Sequence, residues 1–215
     1  GYVAITTQYS GNGGSEGVDE RGGQDIDDVL ILRQILAKYP QADSKRIGMG
    51  GWSRGGMMTY LALARVRWIK AAVTIGGEAN LIREAKLRPE MKKIFREMFG
   101  GSVTEMKKRS AIFWADRFSK RTPLLLLHGT NDSRVSPHDS LDLASLLIKN
   151  GHHPRLMLFE GDDHGITHHA HERDLAIREW FDRFLKKPRC RHNGYAPYPR
   201  FFCSHRIGTG NSCPR

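Results

Sequence analysis

The sequence predicts an α/β protein with a mostly parallel sheet and helices on both of its faces. Short apolar runs alternate with longer helical patterns, those runs are apolar on both faces, and Gly, Pro and Asn clusters separate them. Strands buried on both faces need crossover connections, and a helix is the usual one.

The first element, Tyr2 to Thr7, reads as a short buried strand. A turn-rich stretch from Ser10 to Gly17 follows, with four glycines that permit tight backbone excursions. Asp25 opens a helix reaching about Lys38. Asp25, Asp27 and Asp28 lie in its first turn, where the helix dipole favours acids, and Ile26, Val29, Leu30 and Leu36 keep a helical period. Arg46 to Met49 reads as a strand, Met57 to Ala64 as an apolar helix, and Ala71 to Ile75 as a second buried strand. The charged, amphipathic stretch within about 77–121 reads as a helical insertion. Leu124 to Leu127 is a strand, Leu141 to Lys149 a helix closed by Asn150-Gly151, Leu156 to Phe159 a strand, and Asp174 to Leu185 a last helix.

A chain of 215 residues that is 39% hydrophobic and 27% charged suits one core with appendages. No run of about 18 apolar residues exists, so no membrane span is expected. The net charge is +11, and five of those charges are Arg189, Arg191, Arg200, Arg206 and Arg215, in a tail that contains no acid. No helix-turn-helix, zinc-finger or aromatic RNP pattern accompanies the charge, so no nucleic-acid partner is expected. Cys190, Cys203 and Cys213 are the only cysteines, and all lie in the same tail. The body therefore has no disulfide or zinc-thiolate framework. The expected organisation is a catalytic domain over 1–187 and a basic, disordered tail over 188–215.

The strongest local signal is Gly51-Trp52-Ser53-Arg54-Gly55, a G-x-S-x-G between a strand and a helix. A nucleophile on such a sharp turn has strained dihedrals, so its neighbours must be small; Gly51 and Gly55 meet that need. The turn would expose the Ser53 hydroxyl above the sheet, with the Arg54 backbone N–H facing a developing oxyanion. A serine needs a base, itself held by a third group. Asp132 lies in the loop after the Leu124 strand and His164 in the loop after the Leu156 strand, both on the carboxyl edge where Ser53 sits. Asp139 and Asp142 are rivals for the acid, but their places in or near a helix suggest solvated surface. The order Ser, Asp, His is that of the α/β-hydrolase fold.

Other histidines have plainer readings. His168, His169 and His171 match no standard zinc spacing, so no metal is expected. His152 and His153 read as surface residues, and His128 as a support for the Asp132 loop.

Taken together, Gln8-Tyr9-Ser10-Gly11, Gly22-Gly23-Gln24-Asp25, the GWSRGG elbow, HGTND and DDHG make the chain from Gly1 to about Lys187 resemble the catalytic domain of the prolyl oligopeptidase (S9-type) family of serine peptidases. Ser10 stands where the family usually has Arg. The resemblance implies an α/β-hydrolase fold, hydrolysis of short peptides, no cofactor, and Ser53, Asp132 and His164 as nucleophile, acid and base. Tyr9 and Trp52 are the candidates for the substrate pocket. The family's first strands and its second oxyanion donor are expected upstream of Gly1, so the sheet is expected to be N-terminally truncated and this stretch alone poorly folded. A small ester is the alternative substrate, since a triad does not distinguish amide from ester. A non-catalytic scaffold for an acidic partner is a further alternative. Oligomeric state and compartment stay open, with the cytoplasm favoured.

Overall fold

The apolar runs become four parallel strands, β1 (Ile47–Trp52), β2 (Ile69–Ile75), β3 (Leu124–Gly129) and β4 (Arg155–Phe159), arranged in sequence order. This computed structural model describes residues 1–186, so the tail expected over 188–215 lies outside the described residues. The eight α-helices of this region are α1 (Asp27–Leu30), α2 (Leu32–Leu36), α3 (Arg54–Arg65), α4 (Leu81–Leu87), α5 (Pro89–Phe99), α6 (Val103–Lys108), α7 (Pro137–Lys149) and α8 (Ala170–Leu185).

Alternation along the strands divides the core in two. Ala72, Leu124 and Leu126 pack with Met57, Met58 and Tyr60 of α3 and Leu143 and Leu147 of α7. Ala71, Val73, Leu125 and Leu127 face the other way, onto Trp180 and Leu185 of α8. Successive strand residues point to opposite faces, so these near-continuous apolar runs require a layer on each side. The arrangement is the α/β-hydrolase type.

The connection between β2 and β3 holds α4, α5 and α6, as the charged amphipathic stretch predicts. The Asn80 side chain caps α4 by accepting from Arg83 N, Pro89 opens α5 and Gly100, at φ 67°, closes it, and Ser102 caps α6. Met91, Phe95 and Met106 carry this insertion into the larger core cluster.

One local expectation fails for an identifiable reason. Tyr2 to Thr7 forms no strand, and Tyr2 and Val3 are about half exposed. An apolar run becomes a strand only with a partner for its N–H and C=O groups, and β1 pairs with β2 alone among the described residues. The segment is instead held from the side: Tyr2 Oη donates to Asp182 Oδ1 at 2.7 Å and packs edge-on against Phe181. A groove of about 420 Å³ is left between residues 1–5 and β1. The helix expected from Asp25 to Lys38 forms as a 3₁₀ turn leading into α1 and α2, between which Ile31 keeps right-handed helical dihedrals and donates to Asp27 O at 3.0 Å.

At Gly56, the third residue of α3, the helix crosses the loop after β2 so closely that an added Cβ would stand 2.5 Å from Gly77 Cα. Gly56→Ala is expected to lower stability by about 1–3 kcal/mol, because both sides of the contact are backbone and neither can turn aside. Urea unfolding of the variant beside the parent chain measures this.

Candidate active site at the carboxyl edge

Because all four strands run the same way, the segments that leave them gather on one edge. Ser53 follows β1, Gly76 and Gly77 follow β2, Asp132 follows β3 and His164 follows β4.

Ser53 has φ 56° and ψ −121°, a region costly for a residue with a Cβ. Its backbone is fixed on both sides. Its N–H donates to Ile75 O at 2.9 Å, and its carbonyl accepts from Gly56 N at 2.8 Å, Met57 N at 3.3 Å and Glu78 N at 3.4 Å. Gly51 is obligatory in this turn, since a Cβ there would lie 2.0 Å from Gly55 O. The G-x-S-x-G signal therefore marks a real strand-to-helix elbow.

His164 Nδ1 lies 2.7 Å from Asp132 Oδ2, with the acid side chain fully buried. A carboxylate is an acceptor, so Nδ1 carries the proton and Nε2 of the neutral ring is free to accept. The second Asp132 oxygen, Oδ1, takes the N–H groups of Arg134 at 2.8 Å and Val135 at 2.9 Å. His128 Nε2 adds a contact of 3.1 Å to Oδ2 and bonds Val135 O at 3.0 Å, while its Nδ1 meets Ser140 Oγ at 2.7 Å. Two acceptors at Nε2 fix the tautomer: Nε2 donates and Nδ1 accepts from the Ser140 hydroxyl. Burial alone would raise the Asp132 pKa, but the bonds from His128, His164 and the two backbone N–H groups hold it well below the usual carboxylate range. His128 thus supports the acid loop, as the sequence suggests.

The loop that carries His164 is shaped by the two aspartates before it. Asp162 takes the N–H groups of Asp163, His168 and His169 and the Nδ1 atoms of both histidines, the latter at 3.0 and 2.8 Å. Asp163 accepts from Gly165 N, Thr167 N and Thr167 Oγ1. Trp52 reaches across from the elbow, its indole N–H donating to His164 O at 2.9 Å and its ring 5.4 Å from the imidazole. Trp52 is 53% exposed, so part of its side chain faces solvent beside the imidazole. Gly76 sits under the same pair, at φ +51°; a Cβ there would be 3.0 Å from His164 Nδ1 and 3.2 Å from Asp132 Oδ2.

Several residues play parts that sequence reasoning missed. The Arg54 side chain clamps the glycine-rich segment onto the elbow. It forms a two-pronged pair with Asp19, bonds Asp25 Oδ2 at 2.8 Å, and covers the Tyr9 ring at 4.6 Å. Asp25 is therefore no solvated first-turn acid but a buried one, which also accepts from Gly22 N at 2.9 Å. Burial works against ionised Asp19, yet the Arg54 pairing lowers its pKa to about 2. Tyr9 is half-buried beneath this guanidinium, beside the elbow. Asp139, expected at the surface, is buried; it accepts from Ala79 N and Asn80 N, both at 2.8 Å, and pairs with Arg83, holding the start of the insertion beside the elbow loop. Asp142 pairs with the same arginine and stays half exposed. Further in, Arg21 grips Glu78 with bonds of 2.7 and 2.8 Å. Glu84 lies buried near Glu78; burial first, and then the Glu78 charge, push its carboxyl up to about 8 despite Arg21 and Arg88.

The sequence profile of the prolyl oligopeptidase family matches residues 1–188. The chain belongs to that family. It is 30% identical over 159 residues to a Bacillus subtilis protein named uncharacterized peptidase YtmA, covering 72% of this chain and 61% of that one. Dipeptidyl peptidase family member 6 of Caenorhabditis elegans is 26% identical over 183 residues, 77% of this chain and 24% of the relative. Among solved structures, the acylaminoacyl peptidase of Pyrococcus horikoshii superposes with a TM-score of 0.71 at 28% identity, covering 78% of this chain and 29% of that chain. An acylaminoacyl peptidase in complex with Z-Gly-Gly-Phe-chloromethyl ketone gives 0.72 at 27%, covering 83% and 30%. The chain thus spans less than two thirds of each relative's length.

Two predictions follow from the charges around the elbow. Arg54→Met keeps the stem but strands Asp25 without a cation, and is expected to cost about 3–5 kcal/mol, against about 1 kcal/mol or less for Arg46→Met, whose partner Asp43 is exposed. Denaturant unfolding of both variants checks the contrast. Glu84 is protonated more readily folded than unfolded, so its contribution to stability is full below about 4.5 and is lost as pH rises through about 8. Glu84→Gln is expected to flatten that decline and to raise Tm at pH 8 by roughly 2–4 °C, read by thermal melts at pH 5 and pH 8.

Proposed function

We propose that this chain carries the catalytic machinery of a serine peptidase acting on short peptides, with Ser53 as nucleophile, His164 as general base and Asp132 as the group that orients it. The observation that carries this reading is the 2.7 Å bond between Asp132 and His164, formed on the same sheet edge as the strained Ser53 elbow and bridged to it by Trp52. In this mechanism His164 Nε2 takes the proton of Ser53 Oγ as the oxygen attacks the scissile carbonyl, and then delivers it to the leaving amine. Asp132 keeps Nδ1 protonated and stabilises the imidazolium that forms. The resulting acyl-enzyme is hydrolysed by a water activated by the same histidine. The backbone N–H of Arg54, at the start of α3, is assigned to the oxyanion, where the helix N-terminus also favours negative charge.

Trp52 and Tyr9 are assigned to the walls of the substrate site. Trp52 offers an exposed apolar ring beside the base, and Tyr9 flanks the elbow under Arg54. That a relative was solved with a peptidyl chloromethyl ketone supports peptides as the substrate class.

A fluorophosphonate probe is expected to label the chain at Ser53, and Ser53→Ala to abolish the labelling. Asp132→Asn, which keeps the shape and loses the charge, is expected to slow turnover by about 10³–10⁴-fold. Parallel assays on a peptide anilide and a short acyl ester test the substrate class. Turnover of the ester with no cleavage of the peptide would overturn the peptidase reading, and labelling that persists in Ser53→Ala would overturn the assignment of the nucleophile.

A further inference from the structure

The edge of the sheet opposite Ser53 holds a second concavity, of about 510 Å³, where β2, β3 and β4 begin. With strands five to seven residues long, it lies roughly 15–20 Å from the catalytic edge. Lys70, Lys120, Arg121, Arg155 and Arg183 line it, and among the described residues no carboxylate does. None of the five forms an ion pair among the described residues. Arg155 and Arg183 lie instead over the rings of Trp180 and Phe184, at 5.7 and 5.0 Å. Such stacking orients a guanidinium without neutralising it, which leaves its fork of donors available.

A second observation comes from the inner wall. His152, expected at the surface, is only 6% exposed, shielded by Phe118, and its Nε2 has no hydrogen-bond partner among the described residues. Trp180 is 5% exposed, and its Nε1–H is likewise unpartnered. Buried polar nitrogens are normally satisfied, and here two belong to residues that line one concavity. Five cations with no internal counter-charge call for an anion as ligand. A concavity of about 510 Å³ suits a compact anion rather than an extended strand of nucleic acid.

We propose that this amino-edge cavity is a binding site for a multiply charged phosphate compound, whose oxygens are held by Lys120, Arg155 and their cationic neighbours. Arginine forks match phosphate oxygens two at a time, while a lone carboxylate would meet only part of the charge. The site is separate from the catalytic edge and does not depend on the peptidase assignment.

The test is titration calorimetry of the full chain at low salt, with inorganic tripolyphosphate and adenosine triphosphate as separate probes. Both are expected to bind, with affinity falling steeply as NaCl is raised. Equal affinities assign the site to the phosphate chain alone, and tighter binding of the nucleotide adds a contribution from the base. The double variant Lys120→Met/Arg155→Met keeps the aliphatic stems and is expected to weaken both probes at least tenfold. Lys70→Met/Arg121→Met supplies a second loss of charge with the same expected direction, all four positions being exposed. Absence of binding of either probe up to about 1 mM, a ceiling corresponding to about 4 kcal/mol, overturns the proposal. Undiminished binding by both double variants overturns it too.

Discussion

Ser53 keeps its positive φ only because the chain on either side of it cannot relax. Ahead of it, Gly51 lies so near Gly55 that no side chain fits; behind it, Gly56 presses against Gly77. Its N–H and carbonyl are both committed to β2 and the loop that follows. The elbow is thus a joint between a strand, a helix N-terminus and the next strand's exit. Loosening any of the three contacts would let the residue fall back to an ordinary conformation. The Trp52 bridge to His164 and the Arg54 clamp on residues 9–25 both hang from this joint, so the whole carboxyl edge inherits its rigidity.

The acids around the joint are divided between chemistry and architecture. Asp132 gives one oxygen to His164 and the other to its own loop, so the group that orients the imidazole is itself held fast. Asp162, Asp163, Asp139 and Asp25 spend their oxygens on backbone N–H groups, shaping the loops in which the other residues stand. Charged side chains substitute here for regular secondary structure. A buried carboxylate satisfies several backbone donors at once, and a short loop could not otherwise pair them.

The sheet and the placement of the candidate residues after its strands were legible in the sequence because both depend on short-range pattern. Apolar runs such as Leu124 to Leu127 announce strands, and each motif follows one directly. What was not legible depends on distant partners. Tyr2 to Thr7 has strand composition and no ladder. Asp139 is buried by a loop some sixty residues earlier, and His152 by Phe118. The Arg54 side chain acts on Asp19 and Asp25, far from the motif that draws attention to its backbone. In Gly76-Gly77, a glycine pair directly after a strand, the sequence did hold a signal for the close approach beneath His164.

The unpaired side of β1 has a further consequence. Along Ile47–Trp52 three of six residues are glycines, so little side-chain bulk screens the outer row of N–H and C=O groups, and the neighbouring segment 1–5 lies alongside without closing it. Open edges in other proteins are guarded by lysines, prolines or bulges. Here Tyr2, pinned to α8, stands beside that side of β1. Among the described residues, β1 therefore keeps one row of backbone N–H and C=O groups without a ladder partner.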